Sequence, residues 1–311
     1  MCGQIVAENV SYFYKSGLRR KIKALDGFSI HVEKGDIFAL LGPNGAGKTT
    51  AMYCLLGLIK PYKGKVEICG EVPYPGSPVF EKTAYLPEEP HYPLYLTIEE
   101  EINYYLQLYN AGVKKSLVEY LLEKFELKKF RGLKLSKCSK GMKQKLGIIQ
   151  ALVHENAEIL FLDEPTRGLD PIATITLKEI LFERSKKGTT IFLNSHVLTE
   201  VELMCNRVSI MDNGRVLVED SLRNLLKIEK ETYEVEFQKY PEVPSFINIL
   251  YQNSQFIRGL FNKDKVEEFF KFVKEKNLEV YKCSLKKDRL EEVFERIIKG
   301  NSNGKEDTGK H

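Results

Sequence analysis

Gly42-Pro43-Asn44-Gly45-Ala46-Gly47-Lys48-Thr49-Thr50 constrains this chain more than any other stretch. The apolar run at 37–41 precedes it and reads as a buried strand, and residues 51–58 follow as a helix. Strand, glycine loop and helix in that order form the context in which G-x-x-x-x-G-K-[ST] is a phosphate-binding loop. Its glycines let successive backbone N–H groups turn inward, and the helix N-terminus behind them adds partial positive charge. Such a loop cradles a nucleoside triphosphate with the backbone of Gly42 to Thr50. Lys48 then reaches the terminal phosphates, and the Thr49 hydroxyl can ligate a magnesium ion.

A second signal lies downstream. Residues 159–162 (Ile-Leu-Phe-Leu) are continuously apolar, as a strand covered on both faces of a parallel sheet must be, and the run ends in Asp163-Glu164. A carboxylate at the end of a buried strand beside a phosphate loop holds the metal, which is the role expected of Asp163. Glu164 can polarise an attacking water.

Composition limits the alternatives. The chain has 311 residues, 43% hydrophobic and 29% charged, as expected of a globular protein with ample core. No apolar run approaches the roughly 18 residues of a membrane helix, and no export signal is expected at the N-terminus. Six cysteines stand without C-x-x-C spacing, which points to a reducing cytoplasm rather than to disulfides or zinc. A net charge of +4 does not point to nucleic acid, and the lysine-rich stretches 128–145 and 227–239 lack interleaved aromatic platforms.

In chain order, residues 4–14 and 24–32 read as strands of a β-rich edge, joined by a basic, solvated loop at 15–23. Tyr14 is a candidate for stacking on a base, with Tyr12 and Phe13 as competitors. A strand at 65–69 and a proline-rich loop at 73–78 lead to a strand at 83–87. Ile98, Ile102, Tyr105, Leu106 and Tyr109 then recur at helical spacing behind a Thr97 cap, and 116–125 repeats the pattern. Residues 90–135 thus form a helical insertion, carried to about 155 by a helix opening at Cys138. Helix 172–186, a strand at 189–193, a short helix to 206 and a hairpin about Asp212-Asn213-Gly214 complete the core. Beyond about residue 220 the character changes to a small α+β appendage with a strand at 232–238, a helix at 266–276, a strand at 278–285 and a helix at 289–298. The polar residues 301–311 are expected to be disordered.

Taken together, these residues resemble the ATP-binding subunits of ABC transporters over roughly residues 4–220. Residues 42–50 resemble that family's Walker A loop and 159–164 its Walker B strand with the catalytic glutamate. Residues 138–142 resemble its signature, Gly168-Leu169-Asp170 its D-loop, His196 its switch histidine and Tyr14 its adenine-stacking aromatic. The resemblance implies an α/β fold: a P-loop NTPase core with an antiparallel β edge subdomain and a helical insertion, plus the C-terminal appendage. It implies a cassette at 1–225, an accessory domain at 226–300 and a tail at 301–311. It also implies ATP and Mg2+ as ligands and a head-to-tail dimer. In that dimer Ser139 and the Gly141 amide of one chain meet the γ-phosphate held by the other, His196 contacts that phosphate, and Asp170 links the two sites. The partner it implies is a separate transmembrane permease, which places the chain on the inner face of the cell membrane.

Two positions depart from the family pattern. Glu88 stands where the family usually has glutamine, and so brings negative charge toward the phosphates. The signature has cysteine, lysine and methionine for the usual leucine, glycine and glutamine, while Ser139 and Gly141 remain. Residues 85–89 and 139–146 look like the ATPase subunits of type-2 exporters of drugs, peptides, lipids or polysaccharides. The competing reading is a soluble ABC-type ATPase acting on protein or nucleic-acid complexes. Such proteins commonly carry two cassettes, coiled-coil insertions or zinc modules, and none is visible in this sequence.

Overall fold

The computed structural model describes residues 4–16, 20–108, 114–226 and 228–306. By its internal contacts the chain divides into two units, Met1–Leu222 with Gly300–His311, and Arg223–Lys299.

The first unit opens with β1 (Ile5–Ser16) and β2 (Arg20–Val32), then β3 (Ile37–Leu41), helix α1 (Lys48–Leu55) and β4 (Lys63–Ile68). After β5 (Thr83–Leu86) come three helices: α2 (Ile98–Leu108), α3 (Lys115–Lys124) and α4 (Lys140–Val153). Then follow β6 (Ile159–Asp163), α5 (Pro171–Lys186), β7 (Thr190–Asn194), α6 (Leu198–Met204), β8 (Arg207–Asp212) and β9 (Arg215–Ser221).

Two sheets result. β2, β1 and β4 form an antiparallel sheet, and the central sheet runs β5-β6-β7-β3-β8-β9, parallel except for β9. Every residue of β3, β6 and β7 is buried, because helices and the second sheet cover both faces of the middle strands. Phe38, Phe161 and Phe192 meet on adjacent strands, with Phe192 centred 5.6 Å from Phe38 and 5.7 Å from Phe161. Register brings Leu40, Asp163 and Asn194 level with one another, so the loops leaving β3, β6 and β7 emerge together at one edge. In an open parallel sheet that edge is where ligands bind.

Local chemistry explains the boundaries. Thr97 and Glu100 form a reciprocal capping box at α2: the Glu100 N–H donates to the Thr97 hydroxyl at 3.2 Å, and the Thr97 N–H donates to the Glu100 carboxylate at 2.7 Å. Asp170 caps α5 by accepting from the Ala173 N–H at 2.8 Å. Asn213 and Gly214 take positive φ, as a two-residue hairpin turn requires.

The second unit contains α7 (Leu222–Leu225), which begins at the boundary, and β10 (Ile228–Gln238), β11 (Asn248–Gln252) and β12 (Phe256–Asn262). Then come α8 (Val266–Glu275), β13 (Val280–Lys287) and α9 (Leu290–Glu306). The antiparallel sheet order is β11-β12-β10-β13. Val235 and Phe237 of β10 point into a core with Ile257, Phe261 and Phe269 of α8. Glu234 and Glu236 alternate outward to Lys282 at 2.8 Å and Arg258 at 2.7 Å. Among the described residues no helix is long and apolar enough to cross a membrane.

Four expectations are corrected. The basic stretch at 15–23 is largely not a loop, because β1 and β2 pair as far as Ser16 and Arg20; Tyr14 faces Ile22 and Lys15 faces Lys21 across the ladder. Residues 17–19 lie outside the described residues, as does Tyr109. Helix α1 starts at Lys48 rather than at 51 and stops at Leu55, since Gly57 turns to positive φ. Strands β11 and β12 escaped the sequence reading, β11 because all five of its residues are exposed and carry no alternation of burial. Residues 301–306, expected to be disordered, continue α9, because extending a formed helix adds one hydrogen bond per residue fixed; residues 307–311 lie outside the description.

Replacing Phe192 with alanine removes the ring shared by three central strands. Phe192→Ala should lower the stability of the first unit by about 3–5 kcal/mol, read as a shift of its urea midpoint with the second unit's transition left in place.

Candidate nucleotide site

The phosphate loop is shaped by two close approaches of backbone to backbone. A Cβ on Gly47 would lie 2.4 Å from the Ala24 carbonyl oxygen, and Gly47 also holds φ +104° as the residue before α1. A Cβ on Gly42 would lie 2.5 Å from the Met211 carbonyl oxygen. Only glycine fits either position. Between them the Ala46 N–H donates to Pro43 O at 3.1 Å, and the Gly214 N–H donates to Ala46 O at 2.8 Å. The loop is thereby pinned between β2 and the β8–β9 turn.

Lys48 folds back over this loop, donating from Nζ to Gly42 O at 2.7 Å and to Pro43 O at 3.2 Å. Burial pulls its ammonium below the ordinary range, while Glu164, Asp163 and Glu88 pull the other way. Burial pushes Asp163 up to about 6, and the negative charges of Glu88 and Glu164 add to that; the Asn194 amide and Lys48 oppose it. Asp163 thus ionises against its surroundings, at a place that wants a cation.

Glu164 also sits at an unusual backbone angle, φ +48°. Its N–H donates to Asn194 O at 2.9 Å, and the buried Gln144 amide of α4 donates to Glu164 O and Pro165 O, each at 3.3 Å. His196 Nδ1 stands 2.8 Å from Glu164 Oε2. The carboxylate and imidazole are therefore oriented as a pair, with the histidine side chain 60% exposed and the glutamate 11%.

These groups line one pocket of about 590 Å³. Of the residues singled out from the sequence, Tyr14, Asn44, Gly45, Gly47, Lys48, Thr49, Thr50, Glu88, Asp163, Glu164 and His196 lie on its wall. Gly42, Pro43 and Ala46 back the loop from behind. Tyr14 is at the pocket edge, its hydroxyl 3.4 Å from Thr50 Oγ1 and its ring edge-on to Tyr12 at 5.0 Å. Phe13 instead packs edge-on to Tyr62 and does not line the pocket.

Ser139, Gly141 and Asp170 do not reach this pocket. They line another, of about 280 Å³, with Phe125, Lys129, Met142, Lys145 and Gly168. There the Ser139 hydroxyl caps α4 by accepting from the Met142 N–H at 3.2 Å, and Lys145 pairs with Asp170 at 2.7 Å. A Cβ on Gly141 would lie 2.7 Å from Gly168 O, so glycine is needed there for packing within the chain itself.

Sequence reasoning missed Ile22, Lys23, Ala24, Asn194 and Arg167 on the nucleotide pocket. Ile22 and Lys23 belong to the stretch read as a solvated loop, and Ala24 opens the strand read at 24–32. Asn194 was legible as the residue following an apolar strand and two before His196, but no rule of spacing singled it out.

A metal fits this wall. Among the described residues no three histidine, cysteine or acidic side chains gather as a ready cage. Magnesium, however, is commonly held by one or two carboxylates together with the phosphates of its nucleotide. Asp163 and the Thr49 hydroxyl would supply that partial shell, with buried Asn194 beside them on the same wall.

The chain is similar to known proteins over most of its length. A family model described as ABC transporter matches residues 25–167. An uncharacterized ABC transporter ATP-binding protein of Nostoc sp. is 33% identical over 99% of this chain and 92% of its own length. The bacitracin transport ATP-binding protein BcrA of Bacillus licheniformis is 32% identical over 91% of this chain and 94% of its own. A solved ATP-binding subunit of an ABC transporter superposes with a TM-score of 0.63 at 32% identity, covering 71% of this chain and 91% of that one.

Because Asp163 is raised from an ordinary 3.8 to about 6, the folded chain binds more protons than the unfolded one between those values. The group's favourable contribution is fully present below the lower value and is lost as pH rises through the upper. Asp163→Asn should therefore stabilise the nucleotide-free chain at pH 8 by about 2–3 kcal/mol. In urea titrations the gain should shrink as pH falls through this window and vanish below it.

Proposed function

This chain belongs to the ATP-binding subunits of ABC transporters and is an ATPase of that family, and from that premise we propose that it is the motor of an exporter. In this reading it closes on a second cassette, identical or related, with two ATP molecules between them, and drives a separate transmembrane permease at the inner face of the cell membrane. The observation that carries it is the convergence of Lys48, Asp163, Glu164 and His196 on one pocket. Export is supported by the kinship with a Nod factor export ATP-binding protein of Burkholderia thailandensis, 37% identical over 66% of this chain and 68% of its own length.

The chemistry follows from the residues. Tyr14 offers its ring to the base, and the loop amides with Lys48 bind the triphosphate, Lys48 exchanging the Gly42 and Pro43 carbonyls for phosphate oxygens. Thr49 and Asp163 would hold Mg2+, which when bound would supply positive charge against the phosphates. Glu164 accepts a proton from water as the water oxygen bonds to the γ-phosphorus and the bond to the β–γ bridging oxygen breaks, leaving ADP and phosphate. His196 orients the Glu164 carboxylate and presents its exposed edge toward the phosphate.

Dimerisation is supported by what one chain lacks. Ser139, Gly141 and Asp170 stand in a pocket apart from the phosphate loop, so within one chain α4 cannot offer its N-terminus to its own ATP. A partner in head-to-tail orientation brings its α4 to the open side of the pocket.

Glu164→Gln keeps the shape and removes the base. Turnover should fall by about 100-fold or more, while light scattering should show an ATP-dependent dimer that persists. In the unmodified chain, ATPase activity per molecule should rise with protein concentration. Undiminished turnover in Glu164→Gln would overturn the role given to Glu164, and activity independent of concentration would overturn the shared site.

A further inference from the structure

Glu88 places a carboxylate on the wall of a pocket built for a triphosphate, where a neutral amide would repel less. Its field reaches the cradle, since it adds to the upward push on Asp163 and bears on Lys48. The structure pairs this charge. The guanidinium of Arg167, on the same pocket wall, meets the Glu88 carboxylate.

Arg167 is held there by the turn that carries the catalytic acid. Its N–H donates to Glu164 O at 3.1 Å, and the Leu169 N–H donates to Thr166 O at 3.1 Å, so the segment leaving Glu164 curls back on itself. Glu89 flanks the same guanidinium at 3.8 Å and is in turn held by Lys140 at 3.2 Å. Arg167 therefore sits between two carboxylates, one of which is tied to the first turn of α4.

We propose that Arg167 is a positioning residue for ATP binding: it neutralises Glu88 and holds that carboxylate off the triphosphate, so that an acid is tolerated at this place. The inference rests on the nucleotide reading of the pocket. The pair is 39% and 46% exposed, and ion pairs at that exposure add little to folding stability. Its consequence lies in the charge that an incoming anion meets. With Arg167 gone, one uncompensated negative charge remains on the wall of the pocket that would receive the phosphates. Without Glu88, one positive charge is released toward them.

The test is a double-mutant cycle read by calorimetric titration with magnesium and the β,γ-imido analogue of ATP, which is not hydrolysed. Arg167→Ala should weaken binding by about tenfold, with the urea midpoint unchanged. Glu88→Gln should tighten binding by a few-fold, and the double variant should return to within about threefold of the unmodified chain. The loss in Arg167→Ala should also shrink as salt is raised, because the charges are exposed. Arg167→Gln serves as a second truncation should alanine disturb folding. Binding by Arg167→Ala equal to that of the unmodified chain would overturn the inference. So would a double variant as weak as Arg167→Ala, because Arg167 would then be acting on the phosphate directly and not through Glu88. Failure of the unmodified chain to bind the analogue would instead overturn the nucleotide reading itself.

Discussion

Backbone meets backbone around residues 42–47 at distances that exclude any side chain, and the site depends on that contact. The Met211 and Ala24 carbonyl oxygens occupy the space where Cβ atoms of Gly42 and Gly47 would stand. The loop is consequently clasped between β2 and the β8–β9 turn, with the Ala46 N–H turned back onto Pro43 O. A wider loop would need a ligand to organise it. This one is organised by its neighbours, so the ordering entropy is spent in folding rather than in binding.

Around that cradle the protein crowds acids. Asp163, Glu164 and Glu88 share one pocket with the half-buried Lys48, and Asp163 bears the strain as a raised pKa. The arrangement is unfavourable in the free chain, and in the proposed reading a cation and a nucleotide arriving together would relieve it. Stability is given up at the place where differential binding is needed. Arg167 and His196 each take up one carboxylate of this group, Glu88 and Glu164 respectively, at the pocket surface.

The signature helix has two attachments that serve different purposes. Gln144 is buried and ties α4 to the backbone of Glu164 and Pro165. Ser139 and Gly141, at the helix start, line a separate pocket beside Asp170. α4 thus reaches the chain's own Glu164 turn through Gln144 while its start lines a separate pocket. That is a sound layout for a surface completed by a second molecule.

Much of this was legible in residue order. The phosphate loop needs a fixed spacing of glycines, lysine and threonine, and a buried parallel strand must be continuously apolar, so the loop at 42–50 and the strand ending in Asp163-Glu164 could be read directly. The cap at Thr97 is local, and its hydrogen bonds span three residues. What could not be read is whatever depends on partners far apart in the chain. Lys23 stands on the pocket only because β1 and β2 pair beyond the point where their charges suggest a loop, and Asn194 only because β7 lies beside β6. Arg167 meets Glu88 across 79 positions of sequence. By itself the sequence determined the chemistry available and the strands that carry it, since both are set by neighbours within a few residues. Only the tertiary structure decided which charges face one another, because electrostatic pairing is a matter of distance through space and the order of residues does not encode that distance.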